Sequence, residues 1–220
     1  MTARTFHASD AGARPAPRAV PTEFRFVAGA AGDWRITRLA ALRGKGLPSA
    51  ERLAVFEGTP PAAATARVAW MLRGVTSNAR YTTAAEHQAL LVRQSYPGRP
   101  EATVAALIPI RKADTWWALS QDERRAIFED RSRHIATSIA YLPAIARRLH
   151  HGRDLGEPFD FLTWFEYAPG DAQAFEDLVA RLRATEEWSY VEREVDIRLT
   201  RAESETSPPQ DGPRSSVAAN

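Results

Sequence analysis

A histidine and an arginine interrupt apolar patterns and are the first candidates for a functional site. His134 lies in a predicted helix, and at about 100° per residue its side chain projects within about 20° of Ile127, beside the apolar stripe. Arg147 lies between Ile145 and Leu149 at the two-residue spacing of a strand, so one apolar strand face carries a guanidinium. Guanidinium groups on buried faces usually meet an anion or a carboxylate. With a glutamate pair after the last helix, these residues form a candidate site but specify no reaction.

A simpler interpretation is open for each of these residues. His134 could be half-buried and bonded to the backbone, and Arg147 could point outward together with Arg148 through a local bulge. The pair Glu186 and Glu187 would ordinarily be solvated. The other residues for which we expect only a solvated, loop or packing role are His7, His87, His150, His151, Trp116 and Trp117.

The composition excludes several classes of protein. The 220 residues contain no cysteine, so disulfides, iron–sulfur clusters and a cysteine nucleophile are excluded, and any metal must be held by imidazole or oxygen. The 29 basic and 27 acidic residues give a formal charge of +2, too small to argue for nucleic acid. The sequence has no phosphate-binding glycine loop and no HExxH motif. Apolar stretches are far shorter than the ~20 residues of a membrane span, and no export signal is found, so we expect a cytoplasmic protein.

The helices and strands that position these residues lie between two tails, residues 1–22 and 202–220. Both tails are rich in proline and are predicted to be disordered. Alternation around residues 24–36 predicts a β-hairpin, followed by a linker and a strand near residues 68–72. A capping box, Thr83 with Glu86, predicts the start of a helix.

The second half of the chain gives a clearer pattern. Residues 102–110 are nearly all apolar, as in a buried strand, and a second capping box at residues 120–123 predicts a long helix that ends at Pro143. Strands are predicted at 144–151, 159–167 and 195–199, with a helix near 175–182. The order β-α-β-β-α-β is that of a ferredoxin-like unit. We therefore expect an α+β protein of two ferredoxin-like halves, in the manner of a dimeric α+β barrel. A shortened first half would span residues 23–100 and the second residues 101–201.

Five segments in combination resemble the chlorite dismutase family of haem b proteins. They are GVTSNARYTT (74–83), LIPIRKADTWWALSQDERR (107–125), RSRHIATSIAYLPAIARRLHHG (131–152), FDFLTWFEY (159–167) and ATEEWSYVEREVDIRL (184–199). The short first half is similar to the shorter, dimeric lineage of that family. The resemblance implies a homodimer that binds haem b in its C-terminal half and acts on a small anionic substrate, without nucleic-acid or membrane partners.

The resemblance also assigns roles to particular residues. It makes His134 the proximal iron ligand, Glu187 the carboxylate that bonds the other ring nitrogen, and Arg147 the catalytic arginine on the distal side. The remaining residues that it places around the haem are Lys112, Asn78, Tyr81, Trp116, Trp117, Leu149, Thr163 and Phe165.

The activity implied by the resemblance is conversion of chlorite to chloride and dioxygen, through ferryl haem and a transient hypochlorite held by Arg147. Coproheme decarboxylases are related, but they carry a catalytic tyrosine where this chain has Ile108, before Pro109. A haem-binding or haem-transfer protein without turnover, and a cofactor-free α+β dimer, stay open as other classes.

Overall fold

A computed structural model describes residues 22–76, 81–93 and 96–202 of the chain. The two tails predicted to be disordered lie outside these residues, except for residues 22 and 202 at their edges. None of the helices in the described ranges is long and apolar enough to cross a membrane.

Eight antiparallel strands close into a barrel in the order β1-β3-β2-β8-β5-β7-β6-β4. The strands are β1 (Glu23–Gly29), β2 (Trp34–Arg43), β3 (Arg52–Glu57), β4 (Val68–Thr76), β5 (Val104–Lys112), β6 (Ala146–His151), β7 (Phe161–Tyr167) and β8 (Val191–Arg201). The protein is thus a mixed α+β fold, as predicted. Its division into two ferredoxin-like halves stays a prediction.

Helices lie between the strands and pack on one part of the barrel. They are α1 (Ala62–Thr65), α2 (Ala84–Arg93), α3 (Asp114–Ala118), α4 (Gln121–Arg125), α5 (His134–Ile139) and α6 (Ala172–Arg183), with a π-helical segment at Ala126–Arg131 and 3-10 turns at Arg153–Leu155, Pro169–Asp171 and Glu186–Tyr190. Both predicted capping boxes are confirmed. Thr83 and Glu86 bond reciprocally at the start of α2, and Ser120 and Glu123 do so at the start of α4.

The predicted N-terminal hairpin is wrong, although both of its strands form. β1 and β2 do not pair with each other, because β3 lies between them. The residues of β3 fall within the predicted linker, which is therefore wrong at this point. The turn that joins β1 to β2 passes over β3, and Gly32 permits this close approach, since a Cβ atom there would lie 2.4 Å from the Leu53 carbonyl.

Two apolar cores lie on the two faces of the sheet. One fills the barrel and includes Phe26, Leu107, Trp164 and Ile197. The other covers the outer face of β5 and β7, where α6 contributes Phe175, Leu178, Val179 and Leu182 at helical spacing. Because β5 has an apolar core on both faces, its sequence is an almost continuous apolar run, as predicted.

The long helix predicted from residue 121 is interrupted. It runs through α4 and the π-helical segment, and Arg133 then takes a left-handed conformation with φ 51° before α5 begins. The angular relation that we drew between Ile127 and His134 assumed an unbroken helix and does not hold. His134 is instead the first residue of α5.

Candidate functional site

A cavity of about 400 Å³ lies between the outer face of strands β5, β7 and β6 and the helices that cover them. Its volume is within the range of small-molecule and cofactor sites, about 300–1,000 Å³. Of the residues predicted for the site, those that line this cavity are Tyr81, Lys112, Trp116, His134, Arg147, Leu149, Thr163, Phe165 and Glu187. Asn78, like His7, lies outside the described residues.

The strand wall of the cavity carries Arg147. This residue pairs with Phe165 across β6 and β7, and Leu149 pairs with Thr163. Side chains of directly paired residues lie on the same face of a sheet, so these four project into one cavity, as predicted. The alternative in which Arg147 points outward is therefore wrong. Burial lowers the pKa of Arg147 to about 10, which leaves the guanidinium charged at neutral pH.

The helix wall carries His134. Its Nδ1 lies 2.7 Å from Oε2 of Glu187, and its ring stacks on Phe128 at 4.4 Å between centroids. These two contacts fix the direction of the imidazole. Glu187 itself is 3% exposed, so the solvated role that is usual for such a glutamate does not apply.

A buried lysine sets the charge of this pair. Lys112 Nζ donates to Glu187 Oε1 at 2.8 Å and to the Glu187 carbonyl at 3.2 Å. Burial raises the pKa of Glu187, but the neighbouring His134 and Lys112 outweigh burial and hold it at about 2. Burial lowers the pKa of Lys112, and Glu187 opposes that change. Since a charged carboxylate only accepts, the proton of a neutral His134 ring belongs on Nδ1, and Nε2 then has a lone pair that could bind a metal ion.

The two tryptophans have different surroundings. Trp116 lines the cavity with 1% exposure, and its ring lies 4.5 Å from Lys112 Nζ. Its Nε1 is buried and has no hydrogen-bond partner among the described residues. Trp117 is not on the cavity wall. It stacks on Phe161 at 6.0 Å, and the Arg153 guanidinium lies 4.0 Å from its ring.

The neighbouring histidines of β6 correct another expectation. His150 and His151 are buried, 1% and 5% exposed, although we expected solvated or loop side chains. His150 packs between Phe24 and Phe26 inside the barrel, and its Nδ1 lies 3.2 Å from the Leu162 carbonyl. Burial lowers its pKa to about 4.

The spacing of residues in the sequence does not show that several further residues lie at or beside the site. Ile108 and Ile110 line the strand wall, but an unbroken apolar run does not tell which face meets a cavity. Phe128 belongs to a helix whose break is not visible in the sequence. Glu129, which bonds the first turn of α5, lies in no periodic pattern.

Comparisons with known proteins agree with this fold. The family model for chlorite dismutase matches residues 50–202. A curated chlorite dismutase of Ideonella dechloratans is 30% identical over 86 residues, 39% of this chain, and the chain spans only 28% of the length of that relative.

Solved structures extend the likeness over most of the chain. The dimeric chlorite dismutase of Nitrobacter winogradskyi is 59% identical, with a TM-score of 0.75 over 81% of this chain and 99% of that one. The chlorite dismutase of Candidatus Nitrospira defluvii in complex with imidazole is 19% identical, with a TM-score of 0.59 over 82% and 91% of the two chains, and supports the fold alone. Since the family model covers well over half of its length, the chain belongs to the chlorite dismutase family.

Proposed function

We propose that this protein is a haem b-dependent chlorite O2-lyase that converts chlorite to chloride and dioxygen. The observation that carries the proposal is one cavity with an oriented imidazole on its helix wall and a guanidinium on its strand wall. The contact between His134 Nδ1 and Glu187 Oε2, 2.7 Å long, orients the His134 ring. Arg147 lies on a strand face beside Leu149 and Phe165.

The donor set of the cavity fits a haem. His134 offers Nε2 as an axial ligand, and the apolar side chains on both walls suit the faces of a porphyrin. The buried Nε1 of Trp116, which has no partner in the described part of the chain, supplies a donor for a polar edge of the ligand. Tyr81 and Lys112 on the same wall are further candidates to bind its carboxylates.

On the helix wall the chain prepares the iron ligand. Haem held there by His134 would supply the iron centre that oxygen-atom transfer from chlorite requires. Glu187 accepts a hydrogen bond from Nδ1–H of His134, which raises the basicity of the other ring nitrogen, the one that would bind iron. His134 and Lys112 hold the pKa of Glu187 at about 2 against the effect of burial, so the carboxylate is ionised and accepts this hydrogen bond at neutral pH.

On the strand wall, Arg147 is the residue that binds the anions. Arg147 attracts chlorite into a cavity that is otherwise largely apolar, and it retains hypochlorite until the second oxygen atom is transferred. Leu149 and Phe165 beside it give this part of the cavity its apolar lining. The overall reaction balances as one chlorite giving one chloride and one dioxygen, with no external reductant.

Decarboxylation of coproheme is the weaker alternative. The residue at the position of the decarboxylases' tyrosine is Ile108, which lies on the cavity wall and has no phenol to oxidise. We expect coproporphyrin-bound protein to keep its propionates when peroxide is added.

We also propose a cytoplasmic homodimer whose barrel consists of two ferredoxin-like halves. The dimeric relative at 59% identity supports the dimer. The strand orders β4-β1-β3-β2 and β8-β5-β7-β6 within the closed barrel support the two halves, because each has the same arrangement of its own four strands. Light scattering of the haem-loaded protein should give twice the 24.4 kDa mass of the chain, and a monomer would contradict the dimer.

The test of the activity is an oxygen electrode. Haem-loaded protein should show a Soret band and release close to one dioxygen per chlorite added. A Soret band without dioxygen would support a binding or transfer protein instead, and absence of haem binding would overturn the proposal altogether.

A further inference from the structure

A buried carboxylate lies beside the His134–Glu187 pair without belonging to it. Glu129, 9% exposed, accepts from the backbone N–H groups of Ile135 at 2.6 Å and Ala136 at 3.1 Å. Among the described residues no lysine, arginine or histidine lies within ion-pair distance of it. The first turn of α5 therefore supplies the hydrogen bonds that keep this carboxylate buried.

The segment that contains Glu129 also contacts Glu187, the partner of His134. The Ser132 hydroxyl, 6% exposed, accepts from the backbone N–H of Glu187 at 3.0 Å. Between the two contacts, the backbone N–H of Arg133 donates to the Glu129 carbonyl at 2.9 Å, and Arg133 has left-handed geometry. Residues 129–133 thus contact both the helix that begins with His134 and the backbone of Glu187.

We propose that Glu129 and Ser132 are positioning residues that determine the geometry of the hydrogen bond between His134 and Glu187. Neither touches the cavity, since neither lines its wall. α5 has six residues and few hydrogen bonds of its own, so its first turn depends on the Glu129 cap. If the first turn of α5 shifts, the His134 ring moves with it. The Glu187 carboxylate does not follow, because Ser132 holds the Glu187 backbone. The inference deepens the proposed function, because it concerns the residues that direct the iron ligand.

The test uses full-length protein with three substitutions. Glu129→Gln keeps the shape of the side chain but turns an N–H group toward a backbone N–H, and Ser132→Ala removes the acceptor for Glu187. Glu123→Gln is the matched control, because Glu123 also bonds a helix start, accepting from Ser120 N at 2.7 Å, but contacts neither member of the pair.

The measurements report on the hydrogen bond and not on turnover. In the haem-loaded ferrous protein, Glu129→Gln and Ser132→Ala should shift the iron–histidine stretching band in resonance Raman spectra to lower frequency. They should also raise the reduction potential and speed haem transfer to apomyoglobin, for Glu129→Gln by about 10-fold. The Glu123→Gln control should match the wild type in all three, although it lowers the melting temperature of the apoprotein.

A purely structural role for Glu129 gives a different result. If Glu129→Gln lowers the melting temperature but leaves the band and the potential unchanged, or if Glu123→Gln shifts them equally, the inference is overturned.

A measurement without haem separates this inference from the proposed function. In the wild-type apoprotein we expect a downfield Nδ1–H proton resonance that His134→Gln abolishes and Glu129→Gln broadens. If that holds while haem does not bind, the proposed function fails and the positioning role stands. If haem binds through His134 but Glu129→Gln leaves the resonance unchanged, only the positioning role fails.

Discussion

At the scale of single residues, the charge of Glu187 decides which nitrogen of a neutral His134 ring carries the proton. The carboxylate is 3% exposed and bonds His134 on one oxygen and Lys112 on the other. An ionised carboxylate in such a place needs both partners, because burial alone favours its neutral form. The three residues therefore act as one unit, and removing one affects the others.

This coupling predicts the outcome of a double-mutant cycle. Lys112→Met leaves a buried carboxylate with one partner fewer, and we expect the free energy of unfolding to fall by about 3–5 kcal/mol. Glu187→Gln in the same chain should recover a large part of that loss, because the uncompensated charge is gone. Urea unfolding of the four apoproteins measures the coupling; strictly additive losses would show that the ion pair is unimportant.

His150 gives a separate prediction for the pH dependence of stability. Its pKa in the folded protein is about 4, below the ordinary value of about 6.5, so the unfolded chain binds more protons in between. The free energy of unfolding should fall as the pH drops from about 6.5 to about 4, by on the order of 3 kcal/mol from this residue. Arg148 and His151 add repulsion to the protonated ring, Leu162 only partly offsets it, and the packed rings of Phe24 and Phe26 carry no charge.

Two histidine variants test whether His150 causes this loss of stability between about pH 6.5 and about pH 4. His150→Phe should flatten the dependence between pH 4 and 6.5 in urea unfolding series, whereas His87→Gln, a change at an exposed histidine, should leave it as in the wild type. An unchanged slope in His150→Phe would rule out His150 as its source.

At the scale of elements, the sequence predicts features that depend on nearby residues, but not which strands pair or where a helix breaks. The two capping boxes and the alternation of Arg147 with Leu149 depend on neighbours within a few residues, and the structure confirms them. The position of β3 between β1 and β2 belongs to the closed barrel, and the break before His134 occurs where the Glu129 carboxylate bonds the first turn of α5. Neither leaves a periodic signal in the sequence.

The roles assigned to site residues came from the family resemblance. Spacing marked His134 and Arg147 as unusual and added the glutamate pair at residues 186–187 to the candidate site, but nothing in the pattern paired His134 with Glu187 or pointed to Lys112. These links cross more than 50 residues of chain and are visible only once the strands and helices are assembled.

The break in the helix predicts a contrast between two glycine substitutions. Arg133 is exposed with φ 51°, a region that costs a non-glycine residue about 1–2 kcal/mol. Arg133→Gly should therefore leave the free energy of unfolding unchanged or raise it by up to about 1 kcal/mol. Asp130→Gly, at an exposed position inside the π-helical segment, should lower it by about 1 kcal/mol. Equal losses in denaturant titrations would argue against the left-handed break.

At the scale of the whole molecule, the cavity joins elements that are far apart in the sequence. Its walls include α2 near residue 90, strands β5 to β7, and α6 beyond residue 170. A ligand that fills it contacts all of these elements at once and should stabilise the molecule as a unit.

Calorimetry tests this prediction. Haem in excess of its dissociation constant by about 100-fold should raise the stability by about 2.7 kcal/mol, seen as one cooperative transition at higher temperature. His134→Ala should lose most of that gain, and Arg147→Ala should keep it, because only the first removes the residue that we propose as iron ligand. Equal gains in all three proteins would place the haem elsewhere.

The central claim is that one cavity holds haem on His134 and anions at Arg147, and the yield of dioxygen tests it most directly. Haem-loaded wild-type protein and Arg147→Ala, matched by Soret absorbance, are given chlorite in an oxygen electrode until activity ceases. We predict that the wild type releases close to one dioxygen per chlorite, and that Arg147→Ala stops early with bleached haem because hypochlorite escapes. Equal total dioxygen from the two proteins, or none from the wild type, would contradict the account.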